Sequence, residues 1–287
     1  MIIPVHDLNT PELQLYAAKN EAVLKRIYEP EPGLFITETA NVILRALQGG
    51  WEPVSILMDG RYLTPAGENA DSATMEQRTL TAEILRLAGD IPVYTADLEM
   101  ITKISGFKQS RGMLCLMKRR RLPKLEHVLS AARRIAVLED VENPTNVGAI
   151  FRSAAGLGLD AVILTHGASD PLYRRATRVS MGAVFMLPWT FAGNKYGGWP
   201  DEGMQLLRKY GFKTVAMALS DRAFALGERR LQQEEKLAIL FGNEQNGLME
   251  PTLQQSDYIV KIPMLNGIDS LNVAAASAVA FWELRER

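Results

Sequence analysis

The chain has 287 residues, 47% of them hydrophobic and 23% charged, which is enough for two domains of ordinary size and normal for a globular protein. Its net charge is only −1, no apolar run approaches the roughly 20 residues that span a bilayer, and the start MIIPVHDLNTPELQ lacks a secretory signal's basic and apolar regions. One cysteine, Cys115, makes no internal disulfide and fits a cytoplasmic location, and His6, His127 and His166 stand apart without ligand-spaced partners, so no metal site is predicted.

In chain order, residues 12–28 read as an amphipathic helix closed by Pro30 and Pro32. Residues 34–37 read as a short strand and 39–47 as a helix ended by Gly49 and Gly50. A strand at 54–58, a loop at 60–72, a helix at 75–87, a strand at 92–94 and a helix at 97–104 follow. Residues 113–117 (MLCLM) are a strand that runs straight into Lys118, Arg119, Arg120 and Arg121. Such alternation predicts a small α/β domain over 1–122, with Pro123 and a charged helix marking a linker at 123–132. Residues 1–100 carry a balance of −8, and 101–135 carry +9, with Glu126 as the single acid. That concentration is a candidate contact to a phosphate backbone, although a solvated linker carries charge equally well.

A second α/β unit is predicted over 133–287. Its strands fall at 134–139, 161–164, 184–188, 213–218, 237–241 and 257–262. Its helices fall at 147–157, at 172–180, where Arg174 and Arg178 make a basic face, at 203–210, and in the small-residue run after Asn272. Residues 191–200 read as a loop rich in Gly and Trp.

Three segments follow the C-terminal ends of predicted strands, where open α/β sheets bind ligands. EDVENPTNVGAIFR holds Asn146 at a turn and Arg152 inside the next helix, where a planar guanidinium can grip phosphate. LFGNEQNGL offers Gly242, Asn243 and Gly247 for a backbone-lined loop, with Glu244 as its one charge. IPMLNGIDSLNV places Ser270 and Asn272 where a helix begins, beside free backbone N–H groups. Each segment alone fits a plain turn. The glycines match neither the dinucleotide fingerprint nor the Walker pattern, and no Ser-His-Asp set or paired carboxylates stand out.

Together, in this order and spacing, NPTNVGAIFR, FGNEQNGL and IPMLNGIDSLNV resemble the three motifs of SpoU/TrmH-type RNA ribose 2′-O-methyltransferases of the SPOUT class. The intervening RVSMGAVFMLP is also similar to that family. More loosely, the first 122 residues resemble the L30e-like substrate-binding domain that precedes many such enzymes. LFITE falls where the family often has phenylalanine, an acid and glycine, and Thr39 stands in the glycine's place.

The resemblance implies a catalytic α/β domain whose C-terminal segment threads a trefoil knot, with S-adenosyl-L-methionine held in the knotted loops. It puts Gly242, Ile262, Met264 and Leu271 at the cofactor, with Asn243, Gly247, Met217 and Ala218 beside them. It maps the catalytic group to Asn146, Arg152, Glu244, Ser270 and Asn272, and it implies a homodimer through the catalytic domain. The implied substrate is RNA, ribosomal rather than transfer RNA because of the long N-terminal domain. Lys118, Arg119, Arg120, Arg121, Arg174 and Arg178 are the expected RNA contacts. The alternatives are a transfer RNA 2′-O-methyltransferase and a non-catalytic RNA-binding or assembly protein on the same scaffold.

Overall fold

The computed structural model describes residues 1–7, 10–17, 21–26, 33–63, 71–105, 112–193 and 197–286. The predicted helix at 12–28 and the predicted loops at 60–72 and 191–200 lie partly outside that set, as does part of the basic segment at 101–135. The chain divides into two compact units. One is Met1–Arg121 with Leu172–Phe185, and the other is Leu122–Pro171 with Met186–Arg287. Among the described residues no helix is long and apolar enough to cross a membrane.

The first unit contains, in order, β1 (Ile2–Pro4), α1 (Pro11–Gln14), α2 (Glu21–Arg26), β2 (Leu34–Glu38), α3 (Ala40–Gln48), β3 (Pro53–Asp59), α4 (Ser72–Ala88), β4 (Val93–Ala96), α5 (Leu98–Ser105) and β5 (Met113–Lys118). Its sheet runs β1-β4-β3-β5-β2, parallel over the first three strands and antiparallel at β5. Leu34, Ile36, Leu57, Leu114 and Leu116 of these strands share one core with Leu13, Tyr16 and Leu24.

The second unit begins with α6 (Leu125–Ala131), in the stretch expected as linker. Val128 and Leu129 of this helix are buried in the second unit's core. It continues with β6 (Arg134–Leu138), α7 (Pro144–Gly156) and β7 (Ala161–Leu164). The next helix, α8 (Arg174–Val179), belongs by its contacts to the first unit. There follow β8 (Trp189–Phe191), α9 (Asp201–Lys209), β9 (Lys213–Met217), β10 (Phe224–Ala225), α10 (Arg229–Gln232), β11 (Leu237–Phe241), α11 (Glu250–Gln255), β12 (Tyr258–Lys261) and α12 (Val273–Leu284). The seven strands pair in parallel in the order β10-β12-β9-β11-β6-β7-β8. All five residues of β6 and all five of β11 are buried, as a parallel sheet covered on both faces requires. From β6 the chain steps outward to β7 and β8, then returns past β6 to β9. The sheet therefore has its switch point between β6 and β11.

One predicted strand is corrected. Residues 184–188 are not a strand: Ala183–Phe185 form a 3₁₀ turn, and the strand comes later, at Trp189–Phe191. The apolar run there serves another purpose. Phe185 sits 5.9 Å from the Phe35 ring and 5.4 Å from the Trp51 ring, so it packs into the first unit rather than pairing in a sheet. Periodicity cannot separate these two uses of a short apolar run.

Thr39 adopts φ 72°, ψ 141° immediately before α3. A β-branched residue in that region costs about 1–3 kcal/mol, while glycine there costs about 0.5–1 kcal/mol in chain entropy. Thr39→Gly is therefore expected to stabilise the protein by about 1 kcal/mol, read as a higher urea midpoint at unchanged slope. An unchanged or lower midpoint would contradict the strain.

Candidate active site

Four neighbouring strands deliver the site. β12, β9, β11 and β6 lie side by side, and the loops leaving their C-terminal ends meet above that edge. The third motif, after β12, and the second, after β11, line a cavity of about 540 Å³ with Met217 and Ala218 at the end of β9. Gly242, Asn243, Gly247, Ile262, Met264 and Leu271, expected at the cofactor, are all on its wall. So are Glu244, Ser270 and Asn272 from the catalytic set, whereas Asn146 and Arg152 are not.

The second-motif loop is a tight backbone hairpin. Asn243 and Gly247 exchange N–H···O bonds of 3.0 and 2.9 Å. The Asn243 side-chain oxygen accepts from the N–H groups of Gln245 and Asn246, at 2.9 and 3.3 Å. Its amide donates 2.9 Å to the Asp140 carbonyl, which ties this loop to the first motif. A Cβ on Gly242 would lie 2.1 Å from the Gly247 carbonyl carbon, so the close approach admits only glycine.

Asn146 reaches the site through a polar chain. α7 starts at Asn143, whose side chain accepts 2.9 Å from the Thr145 N–H, with Pro144 in the first turn. Asn146 is thus inside the first helical turn and 7% exposed, rather than at a turn before the helix. Its Nδ2 donates 2.8 Å to Glu244 Oε1, and its Oδ1 accepts 3.2 Å from Asn272 Nδ2. Asn272 also caps α12, its Oδ1 accepting 2.9 Å from the Ala274 N–H. Glu244 collects two further donors, the N–H groups of Glu142 and Asn143, both at 3.2 Å. Burial works against its charge, but the hydrogen bonds from Asn146 and the backbone outweigh that and hold its carboxyl below the usual range. Glu244 is therefore an anion at neutral pH, and its acceptor role toward Asn146 fixes which way that amide points. Arg152 stands exposed on α7, outside the cavity wall.

Sequence reasoning missed Glu139. It is 1% exposed and accepts from Trp199 Nε1, Thr252 Oγ1 and the Met249 N–H, each at 2.5 Å. This carboxylate pins the end of the second-motif loop to β6. Its place at the head of the first motif was the available signal, and its partners come from distant segments.

The expected RNA contacts sit in the first unit, where other residues of that unit engage them. Arg174 and Arg178 both bond Glu38, which is buried at 2% exposed, Arg174 through Nε at 2.7 Å and Arg178 through Nη1 at 2.9 Å. A buried carboxylate requires such pairing. Lys118 pairs with Glu52, and Arg119 Nε donates 3.2 Å to the Leu34 carbonyl. The Arg120 guanidinium lies 4.0 Å from the Trp51 ring centre, and Arg121 is exposed.

Comparison with known proteins follows this geometry. Residues 133–282 match the SpoU rRNA Methylase family. The chain belongs to that family. It is an RNA methyltransferase of SpoU type, and the matched span holds every residue placed at the cavity above. An uncharacterized tRNA/rRNA methyltransferase of Mycobacterium bovis is 37% identical over 252 residues, 87% of this chain and 80% of its own length. The 23S rRNA (guanosine(2553)-2′-O)-methyltransferase RlmP of Bacillus subtilis is 31% identical over 56% of this chain and 61% of its own. An AdoMet-bound rRNA methyltransferase from Sinorhizobium meliloti superposes with a TM-score of 0.77 at 21% identity, covering 99% of this chain and 97% of that one. At that identity the likeness shows the SpoU methyltransferase fold.

Proposed function

We propose that this protein transfers a methyl group from S-adenosylmethionine to a ribose 2′-hydroxyl of ribosomal RNA. The observation that carries the reading is the cavity at the C-terminal ends of β9, β11 and β12, which gathers Glu244, Ser270 and Asn272 with the eight expected cofactor residues. Relatives named for 2′-O-methylation of 23S rRNA support the substrate. The donor set fits the cofactor. Backbone groups of residues 242–247 can read an adenine edge, and Ile262, Met264 and Leu271 can enclose its faces. The reading also includes an L30e-like first unit that grips RNA, a knotted C-terminal segment and a cytoplasmic location.

When bound, S-adenosylmethionine supplies a methyl group already activated by its sulfonium charge. Transfer of that methyl group to the 2′-oxygen would leave the cofactor as a neutral thioether, with the hydroxyl proton passing to water. The protein's task is alignment of oxygen, carbon and sulfur. Glu244, Ser270 and Asn272 orient the ribose, with Asn146 bridging Glu244 to Asn272. Arg152 acts as an electrostatic clamp on the adjacent phosphate and the developing oxyanion. Single-turnover transfer of labelled methyl to bulk ribosomal RNA tests both statements. The wild type is expected to transfer, and Arg152→Ala to be slower by about 10²-fold or more. No transfer to any RNA by the wild type would overturn the function, and near-full transfer by Arg152→Ala would remove Arg152 from it.

The reading includes a homodimer formed through α12. That helix is apolar around its circumference, yet Val279 is 41% and Trp282 57% exposed, and Leu265 and Ile268 of the preceding loop are 80% and 58% exposed. An exposed apolar patch of this kind fits a partner surface. Trp282→Glu is expected to shift a dimer to monomer in light scattering and to lower methyl transfer with it. A wild-type monomer at micromolar concentration would contradict the interface.

A further inference from the structure

A second concavity in the second unit opens at the C-terminal end of β8. Phe191 and Gly193 line a cavity of about 330 Å³ together with Lys124, Glu126 and Glu202. Ring-sized ligands occupy cavities of this scale. One wall is fixed by the Thr190 hydroxyl, which donates 2.7 Å to the Pro123 carbonyl. Exposed His166 stacks on Phe191, centroids 5.0 Å apart and planes 20° from parallel. His166 Nε2 also lies 3.3 Å from the Gly193 carbonyl. Phe191 in turn meets buried Trp189 edge-on at 6.1 Å, and Trp189 meets Phe151 at 6.4 Å. The stacked pair is thus the outer end of an aromatic series rooted in the core.

It lies on the same edge of the sheet as the catalytic loops. Phe191 is in register with Leu164, and Leu164 with Leu138, at the C-terminal end of β6. Two strand spacings, about 10 Å, separate it from the strand that feeds the Asn146 motif. Resting on the methyltransferase reading above, we propose that the His166–Phe191 pair and the cavity beside it form a second RNA subsite for an unpaired nucleobase flanking the methylated nucleotide. Sequence-specific RNA recognition takes unstacked bases onto aromatic side chains, and an exposed ring already stacked on a fixed partner is such a platform. The two carboxylates at the cavity repel phosphate and accept from ring N–H and amino groups. Guanine presents both N1–H and N2–H₂ on one edge, whereas uracil presents a single N–H between two oxygens, so guanine is the favoured base.

The test measures affinity of the full chain for an octamer of uridines and for the same octamer with one central guanosine, by fluorescence anisotropy. The guanosine octamer is expected to bind about tenfold tighter. His166→Ala is expected to lose at least fivefold of that affinity, His166→Phe to stay within twofold of wild type, and both to keep wild-type affinity for S-adenosylmethionine. Glu126→Gln with Glu202→Gln is expected to erase the guanine preference. Equal binding by wild type and His166→Ala would overturn the proposal, as would a loss of octamer affinity that His166→Phe does not restore. Methyl transfer to bulk RNA is read in parallel. Its absence, beside an intact His166-dependent affinity, would overturn the methyltransferase reading and leave the subsite standing.

Discussion

Gly242→Ala is expected to abolish S-adenosylmethionine binding, with at least a hundredfold loss of affinity by calorimetry. The added methyl group would sit 2.1 Å from the Gly247 carbonyl carbon, 2.2 Å from the Leu248 nitrogen and 2.3 Å from the Gly247 oxygen. Those are backbone atoms, so no side-chain rotation relieves the overlap. The loop has to open by more than an ångström, which breaks the Asn243–Gly247 pair and carries the proposed adenine-reading groups away from the cavity wall. Gly247 is the matched control. It has φ +69°, but nothing lies within 4 Å of where its Cβ would be, so Gly247→Ala meets only backbone strain of about 1–2 kcal/mol. Bound ligand raises the melting temperature of a protein that holds it in the native state. Cofactor should therefore raise the melting temperature of the wild type and, to a smaller degree, of Gly247→Ala, and leave Gly242→Ala unmoved. A Gly242→Ala protein that binds normally would show that the loop is not the cofactor wall.

Asn146→Ala is expected to lower the methyl-transfer rate constant by about 10²- to 10³-fold while leaving cofactor affinity nearly unchanged. Asn146 is off the cavity wall, so its loss removes no cofactor contact. What it removes is the bridge. Glu244 loses its only side-chain donor among the described residues, and the Asn272 amide loses its acceptor. A displacement of about 1 Å at a reacting centre costs about 10²-fold in rate, and leaving polar partners unsatisfied costs about 1–3 kcal/mol of stability. Asn146→Asp is expected to be as slow, because a second carboxylate 2.8 Å from Glu244 repels it. Equal losses in rate and cofactor affinity would contradict a bridging role and point to a collapsed site.

Much of this site is legible in the sequence because its parts are local. Asn272 followed by small residues predicts a capped helix, and Asn272 is the cap of α12. Gly242 and Gly247 predict a backbone-lined loop, and one is sterically required while the other has positive φ. The pairings across the chain are not legible from residues alone. Glu139 meets Trp199, Met249 and Thr252, 60 to 113 positions away, and no spacing rule connects them. The same holds for Glu38 with Arg174 and Arg178. The basic helix expected on RNA is committed to a buried acid, because charge on a helix says nothing of what lies opposite it. The strand expected at 184–188 failed for a related reason, since Phe185 packs among Phe35 and Trp51. Thr39 shows the reverse case. A β-branched residue at the start of a helix is visible in the sequence, while the positive φ it has to adopt is visible only in the fold.

The central claim is that the cavity at the C-terminal ends of β9, β11 and β12 serves ribose methylation of ribosomal RNA. A nucleotide-resolution map of alkali-resistant 2′-O-methyl linkages, in RNA from cells with and without the gene, tests it most directly. A single ribosomal position is expected to lose its methyl group without the gene and to regain it with the wild type but not with Asn146→Ala. An unchanged ribosomal map would contradict the account.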